Sequence, residues 1–350
     1  MADRSANSKR PAWANHSQHY KEALSYIFHR YKGDITSVAT PWKKVNNATV
    51  DGFEFNNVIV LAGRPASGKT LIADQFIQRC FDLNPKLELR VLDFQFEMLG
   101  RASKLREFVS ASGTTYKQLL SAGGKALTKE VFEKCKRHAE SRKELPIDIV
   151  DYEVTVVQFE KIVRDYMAHH ATIENGKKIY RNTIIRIDHS VLFAKGPKEK
   201  NNQEMISNLG KCLTRLKKEF PILFLVLSQL NRNIDDPSRN KEGTYGNYVL
   251  ESDIYASDEL LQHADYVIGL NRPALRNIHY YGPDEYIIED DTVLVLHFIK
   301  MRNGKLGMAF MRAMYSEMKI VDMETPGQKP KKPKTKVETT DEHQSGKPAA

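Results

Sequence analysis

The 350-residue sequence has no apolar run long enough to cross a membrane, and it has little cysteine. A membrane-spanning helix needs about 18 consecutive apolar residues, and residues 1–16 lack the apolar core of a secretory signal. The three cysteines, Cys80, Cys135 and Cys212, are too far apart in sequence for a metal motif, and three cannot make a disulfide framework. These absences exclude the membrane and disulfide-stapled classes and predict a protein of the reducing cytoplasm.

The charge of the chain is basic but unevenly placed. Lys and Arg number 53 against 44 Asp and Glu, a net charge of +9. Residues 1–16 hold three basic groups and one acid, and residues 326–350 hold six lysines and three acids, so these ends carry +5 of the total. Both ends have few residues to bury, and we expect disorder at residues 1–16 and in a Lys- and Pro-rich tail at 323–350. The remaining +4 is too small to identify a polyanion partner by itself.

Between the ends, short apolar runs rich in β-branched residues alternate with amphipathic helical patterns. Such runs, separated by helices, predict an α/β fold with a mostly parallel sheet covered on both faces. An Asn303–Gly304 pair after the last run predicts a C-terminal β-hairpin, and a helix is predicted over about residues 17–31. The predicted strands cover residues 57–62, 89–96, 147–150, 183–188, 222–228, 266–270 and 292–299.

A phosphate-binding motif lies between the first predicted strand and a predicted helix. The segment GRPASGKT matches the pattern G-x-x-x-x-G-K-[ST], in which backbone N–H groups and a helix N-terminus surround phosphates. Lys69 is expected to reach the β- and γ-phosphates, and the Thr70 hydroxyl to coordinate Mg²⁺. The motif predicts a nucleoside triphosphate site formed by Gly63, Arg64, Pro65, Ala66, Ser67, Gly68, Lys69 and Thr70.

Polar residues at the ends of other predicted strands supply the rest of a hydrolytic site. Hydrolysis needs a carboxylate for the metal and a base for the attacking water. Asp188 ends the apolar strand TIIRID and is the predicted metal carboxylate. Asp93 and Glu97 of VLDFQFEM are both candidates for the base; Glu97 lies past the strand end, where such sheets bind ligands. Gln229 ends the strand LVLSQ and is placed to hydrogen-bond a γ-phosphate.

These segments, in this order, resemble the ATPase domain of the DnaB-type replicative helicases. VLDFQFEM is similar to the family's Leu-Glu-Met strand, IIRIDHSVLF to its Walker B strand, LVLSQLNR to its sensor strand and FIKMRNGKLG to its Lys-x-Arg-Asn-Gly hairpin. The resemblance covers about residues 17–320. It implies a RecA-like P-loop NTPase fold at 34–322, with ATP and Mg²⁺ as ligands. It also implies a linker helix at 17–33 that packs on the adjacent subunit of a hexameric ring.

The resemblance also implies roles for single residues. Glu97 would be the general base, Asp188 would hold the Mg²⁺ water shell, and Gln229 would couple the γ-phosphate to the DNA loops. Lys300 and Arg302 would reach the γ-phosphate bound on the neighbouring subunit. The loops after Asp188 and Gln229 would face the ring channel and follow the phosphates of single-stranded DNA. Their cations are Lys195, Lys198, Lys200, Arg232, Arg239 and Lys241.

The implied function is that of an ATP-dependent replicative helicase, translocating 5′→3′ on single-stranded DNA and unwinding forks in a bacterial or phage-infected cell. Two alternatives stay open: a RecA- or RadA-like recombination ATPase that forms filaments, and a non-motor DNA-binding factor associated with a helicase. The sequence departs from the family where Asp-Tyr-Leu-Gln is replaced by Asp188-His189-Ser190-Val191. Few residues precede the ATPase segment, so we expect a phage-encoded member without the primase-interacting domain, whose contact with a primase or loader is made differently.

Overall fold

The computed structural model describes residues 13, 15–97, 99–197, 199–255 and 257–330. Within these ranges the chain forms nine α-helices and thirteen β-strands. The helices are α1 His16–Lys32, α2 Lys43–Ala48, α3 Lys69–Leu83, α4 Gly100–Ser112, α5 Tyr116–Leu119, α6 Lys129–Arg142, α7 Val156–His169, α8 Asn202–Glu219 and α9 Ser257–His263. The strands are β1 Asn57–Gly63, β2 Leu89–Gln95, β3 Ile147–Val150, β4 Thr172–Glu174, β5 Lys177–Ile179, β6 Asn182–Asp188, β7 Ile222–Gln229, β8 Tyr266–Asn271, β9 Tyr280–Tyr281, β10 Tyr286–Ile287, β11 Val293–Met301, β12 Gly307–Met314 and β13 Lys319–Asp322.

Nine of these strands form one sheet, in the order β13-β12-β11-β8-β1-β7-β6-β2-β3. The strands from β8 to β3 in that order are parallel to their neighbours. The strands β11, β12 and β13 extend the sheet in antiparallel fashion. The predicted α/β architecture, with a mostly parallel sheet, flanking helices and a C-terminal hairpin, is confirmed.

Both faces of the central strands are buried, which is why they appear in the sequence as continuous apolar runs. Every residue of β1 is buried. Val58 and Val60 face a core formed with α7, α8 and α9, whereas Ile59 and Leu61 face a core formed with α2 and α3. Helices therefore cover the sheet on both sides.

The helix predicted near the N-terminus is observed as α1. The Asn15 side chain accepts a hydrogen bond from the backbone N–H of Ser17, and Gly33 ends the helix with a left-handed φ of 77°. No residue of α1 is buried. Its last turn is attached to the body by Arg30, which pairs with Glu54 at 3.4 Å. The exposed apolar side chains of α1 lie at helical spacing and include Tyr20, Leu24, Ile27, Phe28 and Tyr31.

The segment after β13 returns to the body of the protein. Ile287 N donates to the Gly327 carbonyl at 2.8 Å, and the Lys329 ammonium pairs with Glu242 at 2.7 Å. Residues 323–330 are thus attached to the β9–β10 hairpin and its surroundings. The other residues of the expected disordered segments, 331–350 and nearly all of 1–14, lie outside the described residues. Within the described ranges, no helix combines the length and apolar character that a membrane span requires.

Candidate active site

The phosphate-binding motif forms the turn from β1 into α3. Ala66 and Gly68 both have positive φ, 61° and 93°. Glycine adopts such a backbone without steric cost, which explains the glycine at position 68. A Cβ atom on Gly63 would lie 2.3 Å from the Ser67 hydroxyl, so a side chain does not fit there. The loop therefore folds tightly onto the N-terminus of α3, where a helix stabilises bound anions.

Lys69 and Ser67 supply polar groups inside this loop. The Lys69 ammonium donates to the carbonyl oxygens of Gly63 at 2.7 Å and Arg64 at 3.1 Å. Burial lowers the pKa of Lys69 to about 8, against the opposing effect of the Asp188 and Glu97 carboxylates. The Ser67 hydroxyl is buried and has no hydrogen-bond partner among the described residues. Buried polar groups are normally paired, so this loop is suited to the oxygens of a phosphate chain.

The ends of four neighbouring strands meet beside the loop. In the parallel register, Gly63 of β1 lies opposite Gln229 of β7, and Gln95 of β2 lies opposite Asp188 of β6. Ligands of open α/β sheets bind at this carboxyl edge of the strands. The structure therefore brings the predicted residues Lys69, Asp188 and Gln229 to one edge of the sheet.

Asp188 is a buried carboxylate with an unsatisfied oxygen. Its residue is 4% exposed, and its Oδ1 atom has no partner among the described residues. Burial raises the pKa of Asp188 to about 6; the Arg186 guanidinium opposes this shift, and the carboxylates of Asp74, Glu97 and Asp93 add to it. A cation at this position would offset the cost of burying the charge, so Asp188 fits the chemistry of a metal ligand.

The structure separates the two candidates for the base. Both carboxylate oxygens of Asp93 accept hydrogen bonds from Arg186, at 2.6 and 2.7 Å, and one also accepts from Gln95 at 2.6 Å. Asp93 is thus a buried structural ion-pair partner and is excluded as the base. Glu97 lies two residues past the end of β2, exposed, and close enough to Lys69 and Asp188 to affect their pKa values.

The residues that follow Asp188 are also buried at this edge. Both ring nitrogens of His189 and the hydroxyl of Ser190 lack a partner among the described residues. Burial and, to a smaller degree, the nearby Lys69 charge lower the pKa of His189 to about 4, so the ring is neutral at physiological pH. These two residues were noted in the sequence only as a departure from a family pattern. Their burial beside the loop could not be read from that departure.

Sequence reasoning missed an aromatic group beside the loop. Tyr315, between β12 and β13, lies so near the loop that a Cβ atom on Gly68 would be 3.5 Å from its ring. The Arg272 guanidinium lies 4.0 Å from the centre of the Tyr315 ring, and the Tyr315 hydroxyl is buried without a partner among the described residues. The two residues are far apart in sequence and meet because the antiparallel strands return to the sheet, so no local pattern could have found them.

Lys300 and Arg302 lie at the opposite end of the strands, beside the amino ends of the parallel strands. Lys300 Nζ donates to the Leu261 carbonyl and Arg302 Nη1 to Asp265 Oδ1, both at 2.6 Å. Met301 is in register with Tyr266, which is in register with Ile59. Ile59 precedes Gly63 by four residues, about 13 Å along a strand. The structure therefore does not bring Lys300 and Arg302 to the phosphate loop of their own chain.

The two loops that follow β6 and β7 emerge at the same edge as the phosphate loop. Four of their predicted DNA-binding cations are exposed, and a fifth, Lys198, lies outside the described residues. The exposed cations are Lys195, Lys200, Arg232 and Lys241.

Arg239 requires a correction. Its guanidinium forms a two-bond ion pair with Asp253, at 2.5 and 2.9 Å, and also donates to the carbonyls of Gly246 and Tyr248. Since its N–H groups are used to hold the loop together, Arg239 is a structural residue and not a free DNA contact.

An ion pair joins the phosphate loop to the second of these loops. Arg64 Nη2 lies 2.7 Å from Asp235 Oδ2, and Arg64 Nη1 donates to the Leu230 carbonyl at 3.3 Å. Arg64 therefore contacts both loops directly.

The fold and the phosphate loop together define a P-loop protein of the α/β class. Residues 37–321 match the family model of the DnaB-like helicase C terminal domain. The chain belongs to this family, as its sequence indicated.

Two curated relatives and two solved structures give the extent of the similarity. The chain is 26% identical over 297 residues to the replicative DNA helicase DnaC of Bacillus subtilis, and 26% identical over 299 residues to the replicative DNA helicase DnaB of Geobacillus stearothermophilus. Each alignment covers 85% of this chain and 59% of the relative, so the chain spans under two thirds of these relatives' length.

Among solved structures, one described as an ATPase domain superposes with a TM-score of 0.70 at 20% identity, covering 87% of this chain and 98% of that one. A DnaB-like replicative helicase, described with its interactions with primase, superposes with a TM-score of 0.69 at 20% identity, covering 87% and 67%. The RecA-like fold of the chain is thereby confirmed.

Proposed function

We propose that the chain is the ATP-hydrolysing part of a replicative DNA helicase, which moves 5′→3′ on single-stranded DNA and unwinds the duplex at a fork. The observation that carries the proposal is the meeting of Lys69, Asp188 and Glu97 at the sheet edge from which the two basic loops emerge. A site of this composition combines phosphate binding, a metal carboxylate and a base.

The residues at the phosphate loop fit ATP and Mg²⁺. Residues 63–70 would hold the triphosphate, with Lys69 at the β- and γ-phosphates, and Thr70 and Asp188 would hold Mg²⁺. The bound ion would neutralise charge on the phosphate oxygens. Among the described residues no cluster of three or more His, Cys, Asp or Glu side chains is arranged for a metal. Mg²⁺ suits such a site, since it keeps several waters and needs only one or two carboxylates beside the substrate phosphates.

Two side chains at the strand ends would act on the attacking water and the γ-phosphate. Glu97 would accept a proton from the water at its carboxylate, as a general base. Gln229, in register with Gly63, would hydrogen-bond the γ-phosphate, and the loop that follows it would respond to the presence of that phosphate. Arg64 would strengthen this response, because it pairs with Asp235 in the same loop.

We also propose that Tyr315 and Arg272 form the subsite for the nucleobase. Tyr315 borders the loop at Gly68, and aromatic rings and guanidinium planes both stack on bases. The base would lie against this pair while its phosphates enter the loop, so one chain would supply every contact to the nucleotide except those of Lys300 and Arg302.

The position of Lys300 and Arg302 supports an assembly. Because they lie at the edge opposite their own phosphate loop, they would act on the γ-phosphate bound by a neighbouring copy. The exposed apolar face of α1 would pack on that neighbour. A repeated contact of this head-to-tail type closes into a ring at a suitable rotation, and we propose a hexamer.

The exposed cations Lys195, Lys200, Arg232 and Lys241 would follow the DNA backbone in the channel of such a ring. Contacts with phosphates depend on charge and do not depend on the base sequence. We further propose a primase or a helicase loader as a partner, on the similarity to the helicase described with its interactions with primase.

Strand displacement on forked DNA tests the proposed function. With ATP, the protein should release a labelled strand from a fork bearing a 5′ single-stranded tail, and should fail on a duplex bearing only a 3′ tail. The Lys69→Ala variant should release neither. ATP hydrolysis in the presence of single-stranded DNA without unwinding of any fork would favour the recombination ATPase. DNA binding without any hydrolysis would favour the non-motor factor.

A further inference from the structure

Asp265 is a buried carboxylate at the start of β8 that holds Arg302 in two ways. It is 1% exposed, and its Oδ1 atom accepts a hydrogen bond from Arg302 Nη1 at 2.6 Å. The backbone N–H of Arg302 donates to the Asp265 carbonyl at 3.0 Å. Both the main chain and the side chain of Arg302 are therefore fixed to the same residue.

Asp265 is itself held rigidly by two further elements. Its Oδ2 atom accepts from the backbone N–H of Val58 in β1 at 2.8 Å and from the ammonium of Lys217 in α8. Because one carboxylate lies between two cations, the cluster keeps a net charge of +1. Arg302 is the member of the cluster whose charge is largely exposed to solvent.

The Arg302 side chain is 65% exposed although its anchor is buried. A guanidinium has five N–H donors in a planar fork, and the hydrogen bond to Asp265 uses one of them. The exposed donors remain in a plane that suits two-bond recognition of a phosphoryl group. A free arginine would lose side-chain entropy each time it was ordered on a ligand, whereas this side chain is already ordered by the fold.

We infer that Asp265 is a positioning residue that orients Arg302 toward the γ-phosphate of the neighbouring subunit. The inference rests on the proposed action of Arg302 across the subunit boundary. It assigns to Asp265 no contact with the nucleotide, since the carboxylate acts only through the guanidinium it anchors.

Mixed oligomers separate this role from a general effect on stability. Glu97→Gln subunits keep the arginine but have an inactive site, and Arg302→Ala subunits keep the site but lack the arginine. Mixing the two should restore ATP turnover at boundaries that join an intact site to an intact arginine. Asp265→Asn is then added to one kind of subunit at a time.

In the Glu97→Gln subunits, Asp265→Asn should lower the restored turnover by about tenfold or more, because small misplacements of a catalytic group are costly. In the Arg302→Ala subunits the same substitution should leave the restored turnover in place, because those subunits contribute no arginine. A loss confined to the first arm supports the inference. Equal losses in both arms, or no loss in either, would overturn it.

A binding measurement gives a second readout. The complex of Mg²⁺, ADP and aluminium fluoride imitates a phosphoryl group in transfer, so its retention depends on the arginine, whereas ADP alone does not require it. Asp265→Asn should weaken retention of this complex as Arg302→Ala does, with ADP affinity unchanged. Unchanged retention of the complex would contradict the positioning role.

The design distinguishes a failure of the variant subunits to assemble from a failure of the proposed action of Arg302. If Asp265→Asn subunits do not assemble, Asp265→Glu replaces them, since it keeps the charge for Lys217 but shifts the carboxylate by one methylene, and the same loss in one arm is expected. If the parent mixture of Glu97→Gln and Arg302→Ala subunits recovers no turnover in demonstrably mixed oligomers, the proposed action of Arg302 across the boundary fails, and this inference fails with it.

Discussion

At the scale of single residues, burial and pairing decide which carboxylates are free to take part in catalysis and which stabilise the fold. Asp93 and Glu97 lie four residues apart, and the sequence left both as candidates for the base. Asp93 is held by Arg186, which lies 93 positions further along the chain, so no local pattern could have revealed the pair. Glu97 could be favoured from the sequence because it lies past a strand end, where open sheets bind ligands.

The first prediction concerns Glu97→Gln, which keeps the size of the side chain but cannot accept a proton. Turnover should fall by about 100- to 10,000-fold, while binding of ATP and of single-stranded DNA is retained. Phosphate release and fluorescence binding titrations measure the two effects. Asp93→Asn is the matched control and should instead lower the unfolding midpoint. Retained turnover in Glu97→Gln would show that another residue acts as the general base.

Arg186 is a buried cation between Asp93 of β2 and Asp74 of α3. Arg186→Met should lower the free energy of unfolding by about 3–5 kcal/mol, because it leaves two carboxylates buried without a counter-charge. Urea unfolding measures this loss, and adding Asp74→Asn and Asp93→Asn should recover part of it. Lys161→Met, which breaks the exposed pair with Asp165, should leave the unfolding midpoint near that of the wild type. A similar midpoint for Arg186→Met would show that the buried network is not needed for stability.

At the scale of elements, the strands buried on both faces could be predicted, whereas the exposed hairpin of β4 and β5 could not. Residues of β1, β6 and β7 are buried on both faces, so these strands are mostly apolar, apart from polar residues such as Arg186 and Asp188 in β6, and their ends fall close to the predicted ones. The hairpin of β4 and β5 was missed, because its residues are half-buried or exposed and show no apolar alternation. Its turn carried a signal, since Asn175 and Gly176 both have positive φ.

The basic loops give a prediction at this scale. Arg232→Ala should weaken binding to single-stranded DNA and reduce the slope of log affinity against log salt by about 0.7 for each lost phosphate contact. Arg239→Ala should leave that slope near its original value and lower the thermal stability of the protein, because its guanidinium is used within the loop. Binding titrations from low to high salt distinguish the two. An equal reduction of slope in both variants would show that Arg239 contacts DNA phosphates as Arg232 does.

Helix α1 gives a second prediction at the scale of elements. Leu24→Asp places a charge on the exposed apolar face that we propose to dock on a neighbour. The oligomer of this variant should therefore dissociate at a higher protein concentration than the wild-type oligomer does. The unfolding midpoint of the single chain should not change, since no residue of α1 is buried. Ser25→Asp, which lies outside the apolar face of the same helix, is the control and should leave assembly intact. Sedimentation of the two variants makes the comparison, and unchanged assembly of Leu24→Asp would exclude this face as the interface.

At the scale of the whole molecule, the sheet carries the two halves of the proposed catalytic site to opposite edges. The parallel strands bring the phosphate loop, Asp188 and Glu97 to one edge. The strand β11 runs antiparallel to β8 and so brings Arg302 to the other. The family resemblance implied that Arg302 acts on a neighbouring subunit, and the direction of β11 in the folded sheet gives a physical reason, because it places Arg302 far from the phosphate loop of its own chain.

This separation predicts how activity depends on protein concentration. ATP turnover per chain should fall on dilution through the range where sedimentation shows the oligomer dissociating, because a single chain lacks the arginine at its own phosphate loop. The affinity for fluorescent ADP should stay constant through the same range, because residues 63–70, Asp188 and Tyr315 belong to one chain. Leu24→Asp should move the fall in turnover to higher protein concentration, and Ser25→Asp should not. Constant turnover per chain in a dilute sample shown to be monomeric would mean that the site is complete within one chain, and Arg302 would then have no role across a subunit boundary.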